Sequence, residues 1–480
     1  MNHQASTNHP TAFDAETLLL IPGEVMLESG CVTGQAVLVA DGKFTEIGAR
    51  DTLIARHPEL VPIELPDKLL MPGFIDTHHH LTQSLGKSLV FGEPSEIFKR
   101  IWVPLEASLD EGLLYLSAKL AALEALRGGF TTAVDAGTRA AAEIGSIARA
   151  AEETGLRCVL GLICNDLGGA AKDGDTIRRD ADRHLSRWEL HPLVEPSLAV
   201  SIPEVASDAM LHDVAAMCAE RGAIFQTHVN EHLQAVERSL IARRQRPLEH
   251  LHNVGALGPQ TLIAHATLVT PYELNLLRDT GTAVAFNPVA SSWKGNAVAP
   301  ALQMAALDIR FGLGTDGTRS DAFRLMDAAE TSQRLTTGLA SGDSSCGGGW
   351  LWLDHATRAS ADAVGLKGVT GEIAPGLAAD FLLLDLDVPE MTPSWDRPWE
   401  LVRYANRDQI DAVFTNGKLR LWQGWPVDWD ARALLDEVRA TASAAVERAP
   451  IYRVHPISSN HRATVKNTAV MSTEHEQGRS

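Results

Sequence analysis

The chain has no surplus of basic charge, no long apolar run and no cysteine framework, and each absence removes a class of function. Its 480 residues carry 42 Lys and Arg against 61 Asp and Glu, a formal charge of −19. A surface of that sign repels phosphate backbones and anionic headgroups, which argues against nucleic-acid binding or membrane docking as the main role. No stretch approaches the roughly 20 consecutive apolar residues that span a bilayer. No Lys or Arg precedes Lys43, and the apolar run around Leu18–Ile21 is too short for a signal-peptide core. The cysteines (Cys31, Cys158, Cys164, Cys218 and Cys346) are odd in number and scattered, which fits neither a disulfide framework nor a zinc knuckle. Reduced thiols in a cytoplasmic protein are expected.

What is present is globular. Apolar residues make up 45% of the chain and charged residues 21%, ample for a large core. Residues 1–16 are polar and expected to be disordered. From 17 to 67 the texture is short strands and turns, with "AVLVADGKFTEIG" reading as a hairpin about Asp41-Gly42. Short apolar runs then alternate with helical patterns: "LLMPGFIDTHHH" (69–80), "TTAVDAG" (131–137), "RCVLGLIC" (157–164), "LAVSI" (198–202), "AIFQTHVNE" (223–231), "TLIAHATLV" (261–269), "TAVAFNPVA" (282–290) and "IRFGLGTDG" (309–317). Eight such runs predict an α/β fold, a (β/α)₈ TIM barrel over 68–370, with a doubly wound sheet as the rival architecture. β texture returns over 371–425, with an Asn416-Gly417 turn, and would complete a small β-sandwich domain begun at 17–67. Residues 426–480 are expected to hold an amphipathic helix over 430–449 and a mobile tail.

The His and Asp residues fall at the C-terminal ends of the predicted barrel strands, the face on which this fold builds active sites. His78 and His80 are two apart in a strand, so both imidazoles can face the barrel mouth and bind one cation, while His79 points away. The competing reading is a chance histidine cluster. In "HVNE", His228 offers a nitrogen ligand and Glu231 an acid/base; such pairs also occur on solvated faces. His265 in "IAHATL" could equally be a satisfied core histidine, and Asp316 in "GLGTDG" a turn residue before glycine. Their order along strands one, five, six and eight makes the joint metal-site reading the stronger one.

These segments resemble the amidohydrolase superfamily, in particular its cytosine deaminase-like and triazine hydrolase-like branch. "LLMPGFIDTHHHL" is similar to the branch's first-strand signature, "HVNE" to its His-x-x-Glu, "AHATLVTPYEL" to its strand-six histidine segment, and "GLGTDG" to its aspartate. "FNPVASSWKGNAVAP" resembles its strand-seven loop and "GEIAPGLAADFLLLD" the return to the flanking sheet. The resemblance implies His78, His80, His228 and Asp316 as ligands of one divalent metal, zinc first, with iron or manganese as alternatives. It implies Glu231, His265 and Asp316 as catalytic residues: Glu231 shuttles a proton to a ring nitrogen, His265 binds the attacking water or the tetrahedral oxygen, and Asp316 accepts the water's proton. Some relatives hold two metals on a carbamylated strand-four lysine, but no Lys occurs between Lys172 and Lys294.

The expected reaction is hydrolytic deamination of a small heterocyclic substrate (purine, pyrimidine, pterin or triazine type), by a homodimer. Dechlorination, cyclic-amide opening and a non-catalytic scaffold are the alternatives. Gln83, Trp102 and Trp293 are candidate substrate contacts. Gln83 could instead be a solvated loop residue, and the tryptophans lid or core residues. The strand-seven loop departs from the branch, reading Ser291-Ser292-Trp293-Lys294-Gly295-Asn296 where Ser-Asn and a Leu-Gly-rich stretch are usual.

Overall fold

Short apolar runs separated by helices favour parallel pairing, because a right-handed crossover brings each strand back beside the last. The computed structural model, which describes residues 9–93, 96–168 and 173–455, has eight parallel strands following one another in sheet order. They are β1 (Phe74–His79), β2 (Phe130–Asp135), β3 (Arg157–Ile163), β4 (Val194–Val200), β5 (Ile224–Val229), β6 (Thr261–His265), β7 (Ala283–Phe286) and β8 (Phe311–Leu313). Beyond β8 the chain returns to β1: the Asp316 N–H donates to the His78 carbonyl at 2.8 Å, and the Thr315 N–H donates to Asp76 Oδ1 at 2.9 Å. The expected barrel is therefore present. Ile75, Val134, Val159, Ile224, Leu262 and Ala283, with Val364 and Leu366, pack its N-terminal end with apolar side chains. The polar residues collect at the opposite end.

Two helices that the sequence ends in glycine behave differently. The helix Asp208–Arg221 is capped by Ser207, which accepts from the Met210 N–H, and stops at Gly222 with φ +70, the left-handed conformation glycine adopts freely. The helix Glu111–Arg127 stops at Gly128 with φ −87. There the need is space: a Cβ on Gly128 would lie 2.0 Å from the Ser320 carbonyl oxygen, so the helix end presses on the loop after β8.

The N- and C-terminal segments form a separate mixed sheet of nine strands. Thr17–Leu27 pairs parallel with Ile63–Pro72, which pairs antiparallel with Phe381–Asp385. Asp41-Gly42 and Asn416-Gly417 both turn with positive φ at each residue (51 and 74, 48 and 68), as two-residue hairpins require. The sheet curls over a core that includes Leu18, Val39, Phe44, Phe381 and Phe414.

Two sequence expectations need correction. The strand expected over 69–80 is two strands, because Gly73 packs so closely on Thr131 that a Cβ would lie 2.1 Å from its Oγ1; residues 69–72 belong to the flanking sheet. Disorder through residue 16 does not hold over Thr11–Asp14, a 3₁₀ turn whose buried Phe13 packs edge-on against Phe414 at 5.5 Å. Residues 1–8 and the tail beyond 455 lie outside the described residues. The C-terminal helix spans Ala431–Arg448. Among the described residues no helix is long and apolar enough to cross a membrane.

Candidate active site and metal centre

The mouth of the barrel is set by strand ends and by the backbone just beyond them. His265 ends β6 with φ +76, and Asp316 follows β8 with φ +56. Both are left-handed conformations that non-glycine residues seldom adopt, and such strain concentrates at functional sites. Asp76, fully buried on β1, accepts from the N–H groups of His78 and Thr315 and from the Thr315 hydroxyl. It thereby ties the His78–His80 segment to the loop carrying Asp316. Burial pushes its carboxyl up to about 7 against those hydrogen bonds.

His78, His80, His228 and Asp316 converge as the sequence implies: one ligand atom from each lies within 4.8 Å of all the others. Asp316 Oδ1 is 3.5 Å from His78 Nε2 and 3.2 Å from His80 Nε2, and His228 Nε2 is 3.3 Å from His80 Nε2. The His228 Nδ1–H donates to the Ser201 carbonyl at 2.7 Å, which leaves the Nε2 lone pair facing the cluster. Ser201 is itself fixed, its N–H donating to Asn165 and its hydroxyl accepting from Arg139 and Asn165. Burial holds His80 and His228 below the usual histidine range, so both rings stay neutral and ligand-ready. His78 Nε2 is buried with no hydrogen-bond partner. An unsatisfied nitrogen facing a carboxylate and two neutral imidazoles is costly unless a cation completes it, so these residues fit a metal of the His₃Asp type. His79 points elsewhere, to the Ser320 hydroxyl at 3.1 Å.

Glu231 and His265 adjoin this set. Glu231 Oε2 lies 3.6 Å from His265 Nε2, and Asn287 holds His265 Nδ1 at 3.2 Å from the other side. Between the carboxylates sits Lys294, whose ammonium donates to Glu231 Oε1 at 2.8 Å and to Asp316 Oδ2 at 2.5 Å. Asp316 thus turns one oxygen to the histidines and the other to a lysine. Burial would raise both carboxyls, but their neighbours hold both well below the usual range: Lys294 with the adjacent imidazoles for Asp316, and His265, Lys294 and His232 for Glu231. The sequence reading passed over Lys294. Its signal was the departure of residues 291–296 from the branch pattern, where the lysine stood in plain view without an assigned role.

A cleft opens from this centre, lined at its inner end by His80, Gln83, His228, Glu231, Lys294 and Asp316. Trp102 and Phe98 form part of its wall, and Glu96, Glu204 and Arg238 lie toward its rim. Gln83 and Trp102 thus both line the cleft. The Gln83 amide N–H donates to the buried Glu106 at 3.1 Å, a carboxylate that also takes Thr82 and Arg139 and that the sequence did not flag. Trp293 is placed differently. It lines a small adjoining cavity, packs on Phe91 and donates its indole N–H to Thr318 at 3.0 Å.

Known proteins carry related chains. A 5'-deoxyadenosine deaminase of Methanothermobacter thermautotrophicus is 29% identical over 423 residues, 85% of this chain and 93% of that one. A 5-methylthioadenosine/S-adenosylhomocysteine deaminase of Nitratidesulfovibrio vulgaris is 27% identical over 430 residues, 87% and 97% of the two chains. Among solved structures, an adenosine deaminase from Xanthomonas campestris with bound zinc superposes with a TM-score of 0.82 at 24% identity, over 90% of this chain and 98% of that one; at that identity the likeness speaks for the fold. The profile of the amidohydrolase family matches residues 69–420, which spans the whole barrel and the return to the flanking sheet, and with it the chain belongs to the amidohydrolase family.

Proposed function

We propose that this enzyme is an aminohydrolase that removes the exocyclic amino group of an aminopurine-type heterocycle as ammonia, using one divalent ion, zinc first, held by His78, His80, His228 and Asp316. One observation carries the reading: Glu231, a half-buried carboxylate lining the cleft, lies against both His265 and Lys294 beside the four-ligand cluster. When bound there, a divalent ion supplies Lewis acidity, which brings the pKa of water down from about 15.7 to near 7. The remaining chemistry falls to the chain. Asp316 accepts one proton of the attacking water and passes it to the departing amine, and His265, whose Nε2 faces Glu231 Oε2 at 3.6 Å, holds the oxygen added to the ring carbon. Glu231, ionised at rest, takes the water's other proton and delivers it to the ring nitrogen as charge builds there. A halide leaving group needs no proton, so this carboxylate weighs for an amine over dechlorination.

Support for a purine comes from the relatives named as deaminases of adenine nucleosides. The cleft lining also includes Trp102, Glu96 and Arg238, aromatic and charged side chains that could contact a substrate larger than a bare ring. Gln83 and Trp102 are the proposed substrate contacts, and a cytoplasmic homodimer is the proposed form. No strand-four lysine is present in Val194–Val200, in keeping with a single metal.

The test is ammonia release from the zinc-loaded protein across aminopurines and their nucleosides, aminopyrimidines, pterins and aminotriazines, with Glu231→Gln as blank. Ammonia from the purine compounds, absent with the variant, is expected. Ammonia only from another class overturns the purine assignment. Silence throughout, at about one metal per chain, overturns deamination.

A further inference from the structure

The residues after the C-terminal helix fold back over the barrel mouth. Ile451 packs with Val90, Ile97 and Ile101, in an apolar cluster that also holds Trp102 and Trp293. The Tyr452 N–H donates to the Arg100 carbonyl at 3.0 Å, and Arg100 Nη1 donates back to the Tyr452 carbonyl at 3.2 Å. At the centre of this contact is Glu93, whose side chain is wholly buried. Its Oε2 accepts from Arg100 Nη1 at 2.8 Å and from the Val454 N–H at 2.9 Å. Its Oε1 accepts from Arg453 Nε and from the His455 N–H, both at 3.2 Å. Three of these four donors come from the C-terminal segment, more than 350 positions away in the chain, and the fourth, Arg100, is also bonded to it.

The other side of the same wall faces the cleft. Ile97, Phe98 and Trp102 line it, and Trp293 is followed directly by Lys294, which reaches Glu231 and Asp316. This wall is a 3₁₀ stretch at Leu81–Gly86 and one short helix over 97–107, in which a π turn at Phe98–Trp102 runs directly into the α-helical turn Val103–Ala107. A short helix with a π turn, joined to no strand ladder, has little rigidity of its own.

We infer that the segment Ile451–His455, anchored on the Glu93 carboxylate, is a positioning element of the substrate cleft: it holds the Ile97–Trp102 wall at its working distance from the metal-site residues. Without it, Glu93 loses three of its four donors and the cover that this segment gives its carboxylate. Such a group re-solvates, and the loop moves with it. The strand-end residues stay where the barrel puts them. The loss therefore falls on substrate binding and leaves the chemical step nearly intact. The role in catalysis rests on the cleft being the substrate site; the effect on the wall does not.

Two truncated full-length-derived proteins separate the segment from the residues beyond it: one ending at Pro450, the other at His455. Hydrogen exchange over 97–107, zinc content, and KM and kcat on the compound found by ammonia release are measured for both. The chain ending at Pro450 is expected to exchange faster across the wall and to show KM raised roughly tenfold or more, with kcat within about threefold and zinc unchanged. The chain ending at His455 should match the full chain. Glu93→Gln, which keeps the shape and loses the charge, should show a smaller change in the same direction, and serves as the test if the shorter chain fails to fold. Unchanged exchange and KM in both the Pro450 chain and Glu93→Gln overturn the inference. So do equal changes in the two truncations, or loss of zinc along with binding. If no substrate emerges from the ammonia screen, the exchange readout decides for the segment while the proposed reaction fails separately.

Discussion

The metal-site residues and the cleft wall touch one another, yet they are built on opposite principles. His78, His80, His228, His265 and Asp316 sit at or just beyond the ends of parallel strands, where the ladder fixes their heights: Val229 pairs with His265, and the Asp316 N–H bonds the His78 carbonyl. Among its described residues, the wall (81–93 and 96–107) belongs to no strand ladder. It is held by local turns, by side chains, and by a segment from the far end of the chain. On the proposed function, chemistry that needs fixed geometry would stand on the rigid scaffold, while recognition would stand on packing between distant segments, where it can diverge without disturbing the proposed ligands.

That contrast predicts two kinds of failure. At the rigid centre, the largest effect belongs to His228→Ala. Removing a ligand whose Nδ1 is tied to Ser201 should abolish turnover and bound metal, read by elemental analysis. It should also abolish the rise in melting temperature that zinc gives the wild type, since only a ligand that binds the folded state stabilises it. Retained metal at wild-type affinity would remove His228 from the ligand set. Next comes Glu231→Gln, with metal and melting temperature kept and kcat lowered by about 10²–10⁴, the usual worth of a general acid or base. Unchanged turnover there would end the proton-shuttle role.

The same contrast explains what was legible in the sequence. His78 and His80 could be read because a strand alternates its faces and a barrel puts its site at the strand ends, so two rules sufficed to aim both rings. Asp41-Gly42 and Asn416-Gly417 were readable because only a few residue types tolerate positive φ in a two-residue turn. Gly73 was not, because what it answers to is Thr131, a contact that becomes visible only once the strands are side by side. Phe13 looked like part of a polar tail, since one aromatic among polar residues has no periodicity to report. Glu93 is the extreme case: its partners Arg453 and His455 lie 360 and 362 positions away, and nothing local distinguishes it from any loop carboxylate.

Lys294 stands where the two regions meet, so its substitution sharpens the comparison. Lys294→Met removes the ammonium that bridges Asp316 Oδ2 and Glu231 Oε1. Two effects of opposite sign are expected. With no lysine competing for its charge, Asp316 binds zinc more tightly, measured by competition with a chelator. With Glu231 no longer tethered, kcat falls roughly 10- to 100-fold, less than for Glu231→Gln. Weaker zinc binding in the variant would mean that Lys294 supports the ligand cluster instead of competing with it.

The smallest expected effects separate the tryptophans, which the sequence could only treat alike. Trp102 lines the cleft, whereas Trp293 lies behind it, bonded to Thr318 and with its ring 5.5 Å from the Lys294 ammonium. A planar substrate stacked on Trp102 gains about 0.5–1.5 kcal/mol beyond the area it buries. Trp102→Ala should therefore raise KM by roughly 2- to 10-fold and leave kcat near wild type. Trp293→Ala removes no cleft surface but frees the residue beside it, so it should lower kcat modestly in the manner of Lys294→Met and leave KM alone. Steady-state kinetics on both variants reads the difference. If Trp293→Ala instead raises KM as much as Trp102→Ala, the substrate reaches the adjoining cavity and the wall has two aromatic faces. If neither variant moves KM, recognition rests on polar contacts such as Gln83, and the aromatic wall serves only to exclude water.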